Sequence, residues 1–239
     1  MTNFLVVDIE TLGMAPPAAL IEYGWVSLTS DEAGYEFGAY RGSELFGMQG
    51  QTMSPDNRAV HHINPAELAG RPAFVMSDWA HHHEADFAVA HNAEFESQWL
   101  DLGVPWICTY KTALRLWPDA PSHSNQALKY LLDIPDSIHH HPPHRALPDA
   151  IVTSEVLACI LDETVRRMPD ATDAERLTHL VRVSSEPRLL PRCPVGKHKG
   201  SAWSAVPGDY LQWMLRSDME ADLKWNAERE LTRRRRGDA

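Results

Sequence analysis

The sequence predicts a mixed α/β domain followed by a small, mainly helical C-terminal module. Three strand patterns occupy the first forty residues, short apolar runs then alternate with helical patterns as far as Met168, and the composition changes beyond that point. With 239 residues, 44% of them apolar and 23% charged, the chain can build one substantial core and an appendage, and it has no signature of wholesale disorder.

Phe4-Leu5-Val6-Val7 reads as a short buried strand. It delivers Asp8 and Glu10 to its C-terminal end, just before the turn residues Gly13 and Pro16. Strand side chains alternate, so the two carboxylates emerge on one face. Burying them is costly unless a cation sits between them, and hard divalent ions such as magnesium or manganese take carboxylate oxygens. On these residues alone, a strand end with two solvated acids is the alternative. Residues 20–28 and 35–40 read as the next two strands of an antiparallel meander. Residues 41–62 lack periodicity and read as irregular, and Asn64 caps a helical turn opened by Pro65.

A helix is expected over residues 74–82, then a buried strand at Phe87-Ala88-Val89-Ala90 ending on His91-Asn92. Residues 93–100 read as a helix with Phe95 and Trp99 on one face, and Trp106-Ile107-Cys108 as a further strand, which makes a five-stranded sheet. Helices follow over 109–117 and 126–132, then a His- and Pro-rich loop over 138–144, then a long helix from Pro148 to Met168. One more helix is expected over 174–183. Prolines make 184–194 irregular, and a mixed-charge helix over 219–231 closes the module.

Charge divides the chain. Residues 1–165 hold 22 acidic and 7 basic side chains, whereas residues 166–239 hold 11 acidic and 15 basic. A polyanion can bind such a protein if metal ions neutralise the acidic part and the basic part supplies backbone contacts. The start of the sequence carries no leader pattern and no run approaches membrane-spanning length, so a cytoplasmic protein is expected. Cys108, Cys159 and Cys193 are too scattered for a disulfide framework. The histidine triplets at 81–83 and 139–141 do not make a tetrahedral zinc set, because adjacent side chains point in different directions. Gly196-Lys197 lacks the flanking residues of a nucleotide-binding P-loop.

Three segments form a set: Asp8-Ile9-Glu10-Thr11 at a strand end, His91-Asn92-Ala93-Glu94-Phe95-Glu96 between strand and helix, and His144-Arg145-Ala146-Leu147-Pro148-Asp149 opening the long helix. Their order and context resemble the DEDDh group of 3′-to-5′ exonucleases, over residues 4–165. One departure is glutamate at position 96, where the family has aspartate. Val195-Gly196-Lys197-His198-Lys199-Gly200 with Trp203 and Asp209-Tyr210-Leu211 resembles the tail domain of exodeoxyribonuclease X-like members.

The resemblance implies a ribonuclease H-like fold with catalysis by Asp8, Glu10, Glu96, His144 and Asp149. The four acids would hold two divalent ions, Mg2+ or Mn2+, and His144 would be the general base. Asp8 is expected to bridge the two ions. Thr11, Leu12, Met14, His91 and Asn92 would contact the terminal nucleotide. For Leu12 and Met14 plain packing is the alternative, for Asn92 helix capping, and for His91 a buried hydrogen bond. Lys197, Lys199, Trp203 and Trp213 are candidate nucleic-acid contacts, with a mini-core containing both tryptophans as the structural alternative that leaves the lysines to bind.

The implied organisation is a catalytic domain over 1–168, a helix and proline-rich linker over 169–194, a nucleic-acid-contacting module over 195–232, and a basic tail over 233–239. The implied activity is release of nucleoside 5′-monophosphates from the 3′ end of DNA. RNA is the second polymer to consider. A noncatalytic binder that lost its chemistry through Glu96 is the alternative of another class.

Overall fold

The structure is a computed structural model and describes residues 1–32 and 34–237; the side chains of residues 80–83, the first histidine triplet among them, lie outside the described residues. Its strands are β1 (Thr2–Thr11), β2 (Leu20–Asp31), β3 (Gly34–Leu45), β4 (Phe87–Ala90) and β5 (Trp106–Cys108). Its helices are α1 (Pro55–His61), α2 (Ala93–Glu96), α3 (Thr109–Leu116), α4 (Asn125–Leu131), α5 (Ala146–Arg167), α6 (Asp173–Ser185), α7 (Gly208–Arg216) and α8 (Ala221–Arg236).

The strands form one sheet in the order β3-β2-β1-β4-β5. The meander β1-β2-β3 is antiparallel, and β4 and β5 add in parallel to β1. This is the mixed, ribonuclease H-like sheet that the resemblance implies. The alternation of β1 decides which side becomes functional. Leu5, Val7 and Ile9 pack with Tyr23, Phe46, Trp79 and Leu100 on one face. Phe4 and Val6 pack on the other with Val26, Val89 and Ile107, against Ile151, Val152, Val156 and Ile160 of α5. Asp8 and Glu10 continue the Phe4–Val6 face, so they reach the first turn of α5.

Several elements differ from the sequence reading. Helix α1 lies inside the stretch read as irregular. Its start was encoded by Pro55 at the first position and by Ser54, which forms a reciprocal capping box with Asn57. Helix α2 stops at Glu96 rather than continuing to residue 100, where Gln98 Nε2 donates to the Glu94 carbonyl at 3.1 Å and competes with the helical ladder. Residues 76–84 form 3₁₀ turns broken at Trp79 instead of an α-helix. The Trp79 ring packs edge-on to Tyr23 at 5.0 Å and beside Trp25 at 4.9 Å, and that packing outweighs helix propensity. Helix α5 begins at Ala146, two residues ahead of Pro148.

The domain boundaries also shift. Helix α6, placed by the sequence in a linker, belongs to the first core: Leu180 is buried within it, and Cys108 N donates to Ser184 Oγ at 2.7 Å. Lys111 Nζ donates to the Ser184 carbonyl at 3.2 Å, and Arg115 pairs with Glu186 at 2.6 Å. The C-terminal module has its own core of Cys193, Trp203, Val206, Leu211, Met214, Leu223, Ala227 and Leu231, closed between α7 and α8. Arginines 233–236, expected as a solvated tail, continue α8. Arg233 and Arg234 pair with Glu230 at 2.9 and 2.7 Å, and Arg234 Nη2 also donates to the carbonyls of Trp203, Ser204 and Val206. Among the described residues no helix is long and apolar enough to cross a membrane.

Gly24 lets α5 approach the sheet. A Cβ there would collide with the backbone of Ala146 and Leu147, in the turn that precedes Asp149. Gly24→Ala should therefore cost about 1–3 kcal/mol of stability through overpacking, read by urea denaturation. Wild-type stability in that variant would contradict the close approach.

Candidate metal centre

Asp8 and Glu10 from β1 and Asp149 from α5 present carboxylate oxygens that all lie within 4.8 Å of one another. Asp149 is held on both oxygens: Gln126 Nε2 donates to Oδ1 at 2.8 Å and the His144 backbone N–H donates to Oδ2 at 2.9 Å. Asn125 Nδ2 donates to the Asp149 carbonyl at 3.0 Å, which ties α4 to the same turn.

A fifth acid, Glu22, sits opposite Glu10 in the β1–β2 ladder and is 2% exposed. Like charges facing across a ladder repel. Arg145 removes that problem by a two-pronged contact, Nε at 2.8 Å and Nη2 at 2.9 Å from the two Glu22 oxygens, and Ala146 N donates to Glu22 at 3.2 Å. The sequence reading treated Glu22, Gln126 and Arg145 as ordinary strand, helix and motif-filler positions. The available signal was an acid inside the apolar run Leu20-Ile21-Glu22-Tyr23, which burial obliges to find a cation or donors.

Glu96, at the end of α2, stands outside the set of three but is 4% exposed, and its Oε2 is buried with no hydrogen-bond partner. Burial raises its pKa to about 8. Burial and then Glu22 raise Glu10 to about 9, against the opposing pull of Arg145. Asp8 is pushed well above the usual carboxylate range by burial, then by Asp149, Glu10 and Glu96. Asp149 is raised by burial although its bonds from Gln126 and His144 favour the anion. Four carboxyl groups in this setting cannot all ionise unless positive charge joins them. The donors are all oxygen and one is orphaned, so the site suits a hard divalent cation.

The other sequence candidates divide. His144 is exposed, in the left-handed region at φ 59°, and so stands free at the rim beside Asp149. Thr11 Oγ1 donates to the Gly13 carbonyl at 2.6 Å, fixing the turn that carries Leu12 and Met14. Leu12 packs partly on the cluster of Ala19, Ile21 and Ile63, whereas Met14 is 79% exposed and contributes no core packing. Asn92 is exposed at the start of α2 and its side chain makes no capping bond.

His91 has the buried hydrogen bonds that the sequence reading gave as its alternative role. Its Nε2 donates to the His123 carbonyl at 2.9 Å and its Nδ1 bonds Thr109 Oγ1 at 2.9 Å, with burial lowering its pKa to about 4. Trp203 takes the mini-core alternative: it lies in the module core and its Nε1 donates to the Leu190 carbonyl at 2.7 Å. Lys197 and Lys199 are exposed. In the second histidine triplet, buried His140 lies 3.0 Å from Glu155 and 3.6 Å from Asp136, His141 lies 3.2 Å from Asp136, and His139 is exposed.

No family model matches the chain. Exodeoxyribonuclease 10 of Escherichia coli (strain K12) is 34% identical over 175 residues, covering 68% of this chain and 71% of the relative. The DNA polymerase III subunit epsilon of Treponema pallidum (strain Nichols) is 28% identical over 175 residues, covering 66% of this chain and 76% of the relative. Among solved structures, exonuclease X in complex with 5′ overhanging duplex DNA superposes with a TM-score of 0.57 at 28% identity, over 77% of this chain and 100% of that chain. A 3′-exonuclease solved in recognition of a histone mRNA stem-loop shares the fold, with a TM-score of 0.53 at 14% identity over 67% of this chain and 82% of that chain. With its acidic triad on β1 and α5, the chain belongs to the DEDDh-type 3′-to-5′ exonuclease family related to exodeoxyribonuclease X.

Proposed function

We propose that this protein is a metal-dependent exonuclease that hydrolyses DNA from its 3′ end and releases nucleoside 5′-monophosphates. The observation that carries the reading is the convergence of Asp8, Glu10 and Asp149 oxygens within 4.8 Å, beside the orphaned oxygen of Glu96. DNA is the favoured polymer because the E. coli relative is named an exodeoxyribonuclease and the solved exonuclease X holds duplex DNA. The cytoplasm is the favoured location, in keeping with three unpaired cysteines.

Asp8, Glu10, Asp149 and Glu96 would hold two Mg2+ or Mn2+ ions. Bound there, such ions lower the pKa of a water and offset the charge that develops on the attacking and leaving oxygens. The protein supplies the rest. His144, exposed at the rim, takes the proton of the attacking water on its imidazole. Its backbone N–H to Asp149 Oδ2 keeps base and ligand in register. Leu12 and Met14, on the turn fixed by Thr11, would contact the terminal sugar and base, and Asn92 has an amide available for phosphate.

Incubating 3′-labelled single-stranded DNA and RNA with Mg2+ or Mn2+ tests the reading. Labelled mononucleotide is expected from DNA, at a higher rate than from RNA, and none from Asp8→Ala. A folded wild-type protein that releases nothing from either polymer with either metal would refute it. His144→Ala should lower kcat by about 10²–10⁴-fold while leaving DNA affinity near wild type; undiminished turnover would remove His144 from the base role.

Metal-free stability gives a separate check. Because burial raises the carboxyl pKa values, the folded protein holds protons that the unfolded chain has released above about pH 4.5. Stability contributed by the neutral acids is complete below that pH and lost as pH rises through about 8 for Glu96 and about 9 for Glu10. The melting temperature without metal should fall from pH 5 to pH 9, and Mg2+ should raise it more at pH 8 than at pH 5 because protons must leave. Glu96→Gln should reduce the slope of the fall between about pH 4.5 and pH 8 and weaken Mn2+ binding by calorimetry. An unchanged melting profile and affinity in that variant would place Glu96 outside the metal site.

A further inference from the structure

The C-terminal module carries an aromatic and basic face that the acidic centre does not use. Leu211 and Met214 turn one side of α7 into the core, Tyr210 is half-buried at the core's edge, and Trp213 is exposed. The Tyr210 and Trp213 rings lie 5.1 Å apart at 40°, and the His198 ring meets Tyr210 edge-on at 4.7 Å. Trp213 is 47% exposed at the end of this row of three rings.

Cations flank the row. Lys197 Nζ lies 5.4 Å from the centre of the Tyr210 ring, and Lys199 is exposed two residues along the same turn. Neither lysine has a carboxylate partner among the described ion pairs. The nearest acid in sequence, Asp209, turns an oxygen to the backbone N–H of Tyr210 at 2.8 Å. Gly196, in the left-handed region at φ 62°, brings the lysine turn directly against the Tyr210 hydroxyl, where a Cβ would collide.

Resting on the exonuclease reading above, we propose that Lys197, His198, Lys199, Tyr210 and Trp213 form a second DNA site, a platform on which unpaired bases of the substrate stack while the lysines hold their phosphates. Exposed rings stack on bases of any sequence, and cations alongside follow the backbone. Duplex DNA hides its base faces, so the platform selects single strands. The structure separates the two tryptophans that the sequence offered for this work: Trp203 is packed inside, and Trp213 is the one available to a base.

The test uses the full-length protein in EDTA, where no hydrolysis occurs, with a 5′-fluorescein-labelled twenty-residue oligothymidylate and a blunt twenty-base-pair duplex as probes. Trp213→Ala should weaken binding of the single strand by about tenfold with little effect on the duplex, and Trp213→Phe, which keeps a ring face, should restore most of it. Joint replacement of Lys197 and Lys199 by alanine should reduce the slope of log affinity against log salt by about 1.4, that is about 0.7 for each lost phosphate contact. Melting temperatures near wild type establish that the variants are folded. If Trp213→Ala and Tyr210→Ala both bind the single strand as wild type does, the platform is refuted, as it is if duplex and single strand weaken equally. Wild-type cleavage in Mg2+, measured separately, isolates the other reading: cleavage without a Trp213 effect removes the platform alone, and Trp213-dependent binding without cleavage removes the nuclease alone.

Discussion

Crowding of negative charge around the end of β1 is the constraint on which the rest depends. Asp8, Glu10, Glu22, Glu96 and Asp149 come from β1, β2, α2 and α5 and lie close enough to shift one another's ionisation. The protein answers one of the five by itself, pairing Glu22 with Arg145 through two hydrogen bonds. The remaining four form no ion pair among the described residues, and one oxygen of Glu96 lacks even a hydrogen bond. A buried pair such as Glu22–Arg145 contributes little net stability, yet losing one partner costs about 3–5 kcal/mol. Its value here is positional. Arg145 is the residue between His144 and the start of α5, so the ion pair docks the loop of His144 and the helix of Asp149 on the sheet together.

The loop ahead of His144 is fastened at its other end as well. Buried Lys129 pairs with Asp136, and buried His140 lies 3.0 Å from Glu155 of α5. His144 thus stands exposed between two anchored points, with its backbone in a left-handed conformation and its N–H on Asp149. Rigid carboxylates and an accessible imidazole serve different needs. A cation site needs oxygens whose rotamers do not wander, whereas a proton acceptor must reach a water and then give the proton to solvent.

Much of this was legible in the sequence. Period-two alternation put Asp8 and Glu10 on one face, and the resemblance to the exonuclease motifs brought His144 and Asp149 together at a helix start. Asn64 and Pro65 mark a helical turn, and Ser54 and Pro55 carry the same signal at the start of α1. Local reading was less successful where side chains answer to distant partners. Trp79 broke an expected helix because it packs on Tyr23 and Trp25, and α6 left the expected linker because Leu180 joins the sheet core. Trp203 and Trp213 look alike in sequence, and only packing sends one inward and leaves the other on the surface.

By itself the sequence determined the strand that carries the first two carboxylates, the motif order that identifies the family, and the substitution of glutamate at position 96. These follow from residue type and periodicity, which act over a few positions. Tertiary structure alone decided that Glu22 would be neutralised by Arg145, that Gln126 would steady Asp149, and that Glu96 would reach burial beside Asp8 without a partner. The pairs concerned are separated by 123, 23 and 88 positions, and nothing in local propensity chooses between such partners. The choice is made by electrostatics and packing once the chain has closed, when each buried charge must find its compensation.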